Sequence, residues 1–356
     1  MLKVKQKQYK SVLIARFSAL GDVAMTIPVV YSLCRTYPAT RFVMVTQIVA
    51  SSLFINKPDN LTVVGVDVKN RYKGPRGMWR LVREMKRDHD IEAFADLHSV
   101  IRTHFINLFC RLRGITVSRI NKGRAEKKQL TRQHNKCLRQ LPTSRDRYAA
   151  TFERLGFSFG ENFVSVYPEG APVKLYAEIT AEKQCGEHWI AVAPFAKHQG
   201  KIYPPGLMKN VVLTLASRHD THLFLFGGGS YEKGILDGWE AEAPDKITSL
   251  AGKKFGFAKE LALLSHCDVM LSMDSANMHL ASLVELPVVS IWGATHPYCG
   301  FTGWKPEKGR IVQSNLPCRP CSTFGNKPCL RSDYACLRSI SPDIIINNID
   351  EVLKKR

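Results

Sequence analysis

Five segments of this 356-residue chain gather side chains that can do chemistry. The first, ARFSALGDVAMTIP at residues 15–28, carries Arg16, Ser18, Gly21, Asp22 and Thr26 where an apolar run of strand length passes into a helical pattern. Gly21 permits a tight turn. Asp22 would then stand at a helix start, where a carboxylate caps free amides. The same carboxylate within reach of a hydroxyl can act as a general base.

The second segment, FLFGGGSYE at 224–232, is a glycine-rich turn after an apolar strand. Gly228 lets a ligand approach the backbone, and the helix that follows favours anions. The spacing is not the G-x-G-x-x-G of a dinucleotide fingerprint. Glu232 can hydrogen-bond a ribose, or suit the helix dipole unaided. The third, LSMDSANMHL at 271–280, ends a strand at Asp274 and starts a helix at once. Ser275, Ala276 and Asn277 would offer amides to a phosphate there, with His279 one turn further in. The fourth, PFAKHQGKIYP at 194–204, supplies Lys197 and Lys201 as point charges for a phosphate. The fifth is Cys318, Cys321, Cys329 and Cys336. C-x2-C is a zinc-ligand spacing, and these four thiols could close a tetrahedral structural site. The remaining spacings match no standard ribbon, and free thiols or a labile disulfide fit them as well.

These segments need strands that end, and helices that begin, beside them. Strand-like runs fall at 11–17, 41–46, 61–67 and 91–97, with helical patterns at 23–35, 77–87 and 100–112. Residues 114–141, dominated by Lys, Arg and Gln, read as a basic helix or a mobile loop. Periodicity is lost over 157–186, which carries Pro168, Gly170 and Pro172. The alternation then resumes through strands at 188–194, 221–226, 246–250, 267–272 and 287–292. The last helix, at 342–354, starts at Ser341 and Pro342. Such βαβ alternation implies parallel sheets covered on both faces. The length suggests two domains, placed at 1–165 and 166–356, with room for the last helix to pack back on the first. The expected fold class is α/β: two doubly wound, Rossmann-like domains facing each other across a cleft, with ligands outside the carboxyl ends of the strands.

Composition agrees with a folded globular chain, at 45% hydrophobic and 23% charged residues. Disorder and collagen-like structure are excluded, and no apolar run approaches the ~18 residues of a spanning helix. The basic start and the early Arg16 argue against a signal peptide, so a cytoplasmic location is expected. The formal charge is +20, and residues 71–147 hold 20 Lys/Arg against 7 Asp/Glu. That surplus would attract anionic partners. The basic segments lack the aromatic interleaving of a nucleic-acid stacking platform, so nucleic acid is not expected among them.

Together, ARFSALGDVAMTIP, APFAKHQGKIYP, FLFGGGSYE, SMDSANMHLASLVELPVVSIWGATHP and the CRPC…C…CLRSISPDII block resemble glycosyltransferase family 9, the ADP-heptose:lipopolysaccharide heptosyltransferases. The resemblance implies a GT-B architecture, with an acceptor-binding N-terminal half and a nucleotide-sugar-binding C-terminal half. It implies inverting transfer of a heptose or related sugar from an ADP-sugar to a lipopolysaccharide core or other phosphorylated, lipid-linked acceptor, with no metal required for catalysis. By position, Asp22 is similar to the family's catalytic base, and Lys201 to the lysine of its phosphate-binding loop. Asp274, Ser275, Ala276 and His279 match its diphosphate-sugar block, with Ala276 standing in place of a Gly. Glu232 falls near a ribose-contacting acid. Arg16, Ser18, Gly21 and Thr26 would line the acceptor side. A monomer, peripheral to the inner membrane leaflet, is expected. The alternatives are another nucleotide-sugar enzyme on the same scaffold, such as an epimerase, or a non-enzymatic basic binding protein.

Overall fold

The computed structural model describes residues 9–355. The basic start at residues 1–8 lies outside the described residues. Two compact units are present. The first runs to Gly123 and resumes over Pro142–Val166; the second comprises Arg124–Leu141 and Tyr167–Arg356.

The first unit begins with β1 (Ser11–Ala15), α1 (Leu20–Ala24), α2 (Thr26–Thr36), β2 (Arg41–Gln47) and α3 (Ile48–Ser51). It continues with β3 (Leu61–Val66), α4 (Gly74–His89), β4 (Ala93–Asp96), α5 (Ile101–Leu112) and β5 (Thr116–Arg119). Next in the chain comes α6 (Arg124–Thr131), grouped with the second unit, and then α7 (Ser144–Glu153), back in the first. The sheet order is β3-β2-β1-β4-β5, parallel throughout. Every residue of β1 is buried, as a central parallel strand covered on both faces requires, and this is why its sequence is an unbroken apolar run rather than an alternation.

The second unit carries β6 (His188–Ala193), α8 (Pro205–Ala216), β7 (Thr221–Leu225), α9 (Gly229–Glu242), β8 (Ile247–Ser249), α10 (Phe257–Leu264) and β9 (Val269–Met273). There follow α11 (Ala276–Ser282), β10 (Val288–Trp292), β11 (Arg310–Gln313), α12 (Ala335–Arg338) and α13 (Pro342–Leu353). Its sheet order is β11-β10-β9-β6-β7-β8, again parallel. Ser341 caps α13 by accepting from the Asp343 amide. The helix packs on α8 and β11 of its own unit, fastened by a two-pronged Arg218–Asp350 pair.

Three expectations need correction. Residues 23–35 do not form one helix. α1 ends at Ala24 and α2 begins at Thr26, because Pro28 has no amide to give the Ala24 carbonyl and its ring crowds that oxygen. Residues 114–141 are neither one helix nor a loose loop, since they contain β5 and α6. And 124–141 does not group with the first 165 residues. Leu130 and Leu141 pack with Cys299 and Phe301, and Lys136 Nζ donates to the carbonyls of Pro317, Cys318 and Pro320 at 3.2, 2.7 and 3.2 Å. Part of the basic surplus read as an attraction for anions is thus held in structural contacts. No helix among the described residues is long and apolar enough to cross a membrane.

Candidate active site

In each sheet the strand order reverses direction once, between β1 and β4 in the first and between β6 and β9 in the second. Helices leave opposite faces at such a point, opening a crevice beyond the carboxyl ends of the two strands. Four of the five chemistry-bearing segments lie on the loops and helix starts that follow the strands, two of them at the reversal of the second sheet.

In the first unit, β1 leads into α1 through a cis Ser18–Ala19 peptide. Asp22 is the third residue of α1, where its carboxylate accepts from the Ala19 amide at 3.3 Å. The capping role open to this residue is therefore realised, from inside the first turn. The same oxygen meets Arg16 at 2.5 Å, and the Asp22 side chain keeps 32% of its surface exposed. Arg16 is buried; it donates to the Leu97 carbonyl at 2.8 Å and lies over the Tyr148 ring. Tyr148 in turn donates to the Asp22 carbonyl at 3.2 Å. A buried guanidinium thus fixes a half-exposed carboxylate at the rim of the sheet.

The neighbouring strand supplies a support absent from the sequence reasoning. Asp96, wholly buried at the end of β4, accepts from the His98 and Ser99 amides and from Asn107. This ties the loop that holds His98 and the Leu97 carbonyl. His98 Nδ1 accepts from the Phe17 amide at 3.4 Å. Burial above all, then the Arg16 and Lys122 charges, depresses its pKa to about 3. An unfolded histidine takes its proton near 6.5, so between about 6.5 and about 3 the unfolded chain binds more protons. Stability therefore falls as pH drops through that window, by up to about 1.4 kcal/mol per pH unit. The expected observation is that the His98 ring resonances do not move from pH 8 to pH 5, and that His98→Gln flattens the acid limb of the stability curve.

Two residues assigned to this site do not reach it. Thr26 is fully buried, and its hydroxyl donates to the Val23 carbonyl at 2.7 Å. Gly21 does not make a tight turn: it lies inside α1, with no positive φ. The change of direction falls earlier, at Ser18 and the extended Ala19. Ser18, two residues after Arg16, is half-buried.

In the second unit, Lys201 and Asp274 meet. The lysine stands on the loop after β6 and the aspartate follows β9; Nζ to Oδ2 is 2.8 Å, with side chains 15% and 4% exposed. Thr295, on the loop after β10, donates to the same carboxylate oxygen at 2.8 Å. Gly200 lets these loops touch: its carbonyl accepts from the Ala294 amide at 2.8 Å, and a Cβ at Gly200 would come within 2.9 Å of the Ala294 Cβ and the Gly325 carbonyl. Ser275 is the N-cap of α11, its hydroxyl 3.3 Å from that of Ser272. Ala276, Asn277 and His279 are half-buried on the same helix. Of the two readings of Glu232, the structure shows the one in which it serves its own helix. Gly228 caps α9, and its amide donates to the Glu232 carboxylate at 2.6 Å. The acid is turned back on its own helix.

The four cysteines line one small cavity together with Arg319 and Asp333. They do not form the tetrahedral zinc site that was one of the readings of their spacing. Among the described residues, no group of three or more Cys, His, Asp or Glu side chains is arranged to hold a metal ion. Cys336 is packed into the second unit's apolar core, the Cys321 thiol lies 3.8 Å from the Ala294 carbonyl, and the Cys329 thiol 4.0 Å from Asp333. Burial pushes Cys321 up and Cys336 to about 11, which keeps both as thiols.

What this block does contribute is Arg319, which sequence reasoning passed over. It is 4% exposed. It donates to the carbonyls of Trp292, Gly293, Thr295 and Ser314 and to the Gln313 side chain. It thereby clamps the loop that carries Thr295 to Asp274. Only its place between Cys318 and Cys321 marked it out in the sequence.

Two all-parallel, doubly wound α/β units define a class of proteins whose ligand crevices open beyond the carboxyl ends of the strands at the strand reversal. Comparison with known proteins narrows the class. The family model for glycosyltransferase family 9 (heptosyltransferase) matches residues 140–328. Lipooligosaccharide heptosyltransferase 2 of Campylobacter jejuni is 20% identical over 344 residues, covering 94% of this chain and 96% of that one. Lipopolysaccharide heptosyltransferase 1 of Pseudomonas aeruginosa is 24% identical over 320 residues, covering 87% and 85%. Among solved structures, a family 9 glycosyl transferase from Veillonella parvula superposes with a TM-score of 0.75 at 16% identity, covering 98% of both chains. Escherichia coli heptosyltransferase WaaC with ADP gives 0.67 at 15% identity, covering 96% and 99%. The chain belongs to glycosyltransferase family 9, the heptosyltransferases, and has the α/β fold of the GT-B enzymes in that family.

Proposed function

We propose that this protein transfers a heptose or closely related sugar from an ADP-linked donor to a lipopolysaccharide-core or other phosphorylated, lipid-linked acceptor, with inversion and without a catalytic metal. The observation that carries this is the Lys201–Asp274–Thr295 cluster at the strand reversal of the second sheet. Family membership and a fold neighbour crystallised with ADP point the same way.

The chemistry follows from the groups. Transfer breaks the bond between the anomeric carbon and the diphosphate, whose oxygen gains negative charge as it leaves. Lys201, held by a buried carboxylate, is an oriented positive charge for that oxygen, and the first amides of α11 add to it. The acceptor hydroxyl must lose its proton as it attacks. Asp22 takes that proton: it is an acid side chain at the rim of the first sheet, partly exposed and oriented by Arg16. One displacement with no covalent intermediate inverts the anomeric centre.

The test is a product assay with ADP-heptose and a lipopolysaccharide-core acceptor, run beside donor alone. Transfer only when both are present supports the proposal; conversion of the donor sugar without acceptor would point to an epimerase. Melting temperature should rise with ADP and with the ADP-sugar, since a ligand bound only by the folded state stabilises it. In Lys201→Ala the ADP dissociation constant should rise roughly 10- to 100-fold, the loss of one charge-assisted hydrogen bond. An unchanged constant removes Lys201 from the phosphate site.

A further inference from the structure

We propose that His98 and Arg102 form a binding site in the first unit for an anionic oxygen of the acceptor, carboxylate or phosphate, beside Asp22. His98 follows the end of β4, which neighbours β1 at the strand reversal where Asp22 stands. The residue is 7% exposed. Its Nδ1 accepts from the Phe17 amide, so in the neutral ring the proton sits on Nε2. Nε2 has no hydrogen-bond partner among the described residues. It is also not one of the sealed, unpaired polar atoms. An otherwise buried histidine thus turns one N–H to solvent at the strand ends.

The surrounding loop holds that N–H still. Asp96 accepts from the His98 and Ser99 amides at 2.9 and 2.7 Å. Ser99 is kept at a φ of 47°, in the left-handed region that serine seldom adopts. Phe17, itself buried, lies against both members of the site. The His98 ring is 6.0 Å from the Phe17 ring, centroid to centroid, and the Arg102 guanidinium is 6.0 Å from the same Phe17 centroid. One buried ring therefore sets the spacing of an imidazole N–H and a guanidinium.

Charge selects the ligand. Arg16 is paired with Asp22. Arg102, at the start of α5, has neither an ion pair nor a hydrogen bond among the described residues. Lys122 adds a further positive charge within reach of the His98 ring. A sugar hydroxyl would satisfy the His98 N–H and leave Arg102 unmatched, whereas the oxygens of one anionic group can accept from both. Burial, with the Arg16, Lys122 and Arg102 charges outweighing that of Asp22, keeps the imidazole neutral, so it donates at neutral pH without adding a charge of its own. That the anion belongs to the acceptor rests on the proposed transfer; that the site holds an anion does not.

The experiment is a long-range proton–nitrogen spectrum of the full chain carrying isotope-labelled histidine, with His98 assigned by its loss in His98→Gln. With no donor or acceptor present, Nε2 should carry the proton and Nδ1 should not. Acetate or inorganic phosphate, each against sodium chloride at equal ionic strength, should shift the Nε2 signal saturably, and the salt that does so names carboxylate or phosphate. No shift with either, the same shift with chloride, or a protonated Nδ1 overturns the proposal. In transfer assays, His98→Phe and Arg102→Gln should each raise the KM for the acceptor roughly 10- to 100-fold, the loss of one hydrogen bond to a charged group, with a far smaller change in the KM for the donor. His98→Gln keeps an N–H donor at similar reach and should recover most of that loss, which a packing role for the ring would not allow. Arg102→Gln leaves the packed imidazole in place and carries the test if His98→Phe melts early. An acceptor KM within about threefold of wild type in both His98→Phe and Arg102→Gln overturns the site and leaves the reaction standing. A saturable anion shift with no sugar transfer overturns the proposed reaction and leaves the site.

Discussion

Asp22→Asn should lower the turnover of glycosyl transfer by roughly 10²- to 10⁴-fold, the usual range for loss of a positioned general base. The substitution is close to isosteric. The amide oxygen can still accept from the Ala19 amide, so the first turn of α1 keeps its cap. What disappears is the proton acceptor and the negative charge opposite Arg16. The two roles separate in the kinetics. A base acts in the transition state, so kcat falls while the KM for the donor stays near the wild-type value. A purely structural partner of Arg16 would instead lower the melting temperature and disturb both constants. Asp22→Ala adds a control, because it also removes the cap and should melt earlier than the Asn variant by about 0.5–2 kcal/mol of stability. Turnover within a few-fold of wild type in Asp22→Asn, with the fold intact, rejects Asp22 as the base.

The largest effect on stability should come from Arg319. In Arg319→Met the apolar volume is nearly kept, but the Trp292, Gly293, Thr295 and Ser314 carbonyls and the Gln313 side chain lose their donor. Each stranded buried acceptor costs about 1–3 kcal/mol, less where water or neighbours relax to meet it. A net loss on the order of 3–5 kcal/mol is expected, seen as a fall of roughly 10 °C in melting temperature. Arg319→Lys should recover little of it, because an ammonium cannot reach acceptors fanned around a planar fork. The clamped loop carries Thr295 to Asp274, so ADP affinity should fall as well, even well below the melting transition. A change under about 1 kcal/mol would mean that the loop is held by its other contacts, such as the Ala294 amide on Gly200.

The charge surplus shows how composition and structure divide the labour. Residues 71–147 were read as a source of attraction for anions. Part of that charge is internal: Lys136 binds three carbonyls of the cysteine loop, Lys127 sits over the Phe301 ring, and Arg147 is buried. Net charge counts side chains, whereas attraction depends on which of them still face water.

The local sequence was sufficient for the α/β class and for the strand ends that carry Asp22, Lys201 and Asp274. Apolar runs of strand length and helical spacing are short-range signals, and a parallel sheet buried on both faces makes them strong. Even the break at Met25 is local, written in Pro28. The pairing of Lys201 with Asp274 could not be read that way, nor could the hold of Arg319 on Thr295 or of Asp96 on the loop beside Arg16. Those partners are apart in the chain, and they meet because strand order places β6 beside β9, β10 beside β11 and β1 beside β4. The same holds for the residues that dropped out. Thr26 is sealed by helix packing, Glu232 is claimed by its own helix cap, and Cys336 is drawn into the core. A side chain's type sets what it can do; burial and competing partners, which arise only on folding, set what it is left free to do.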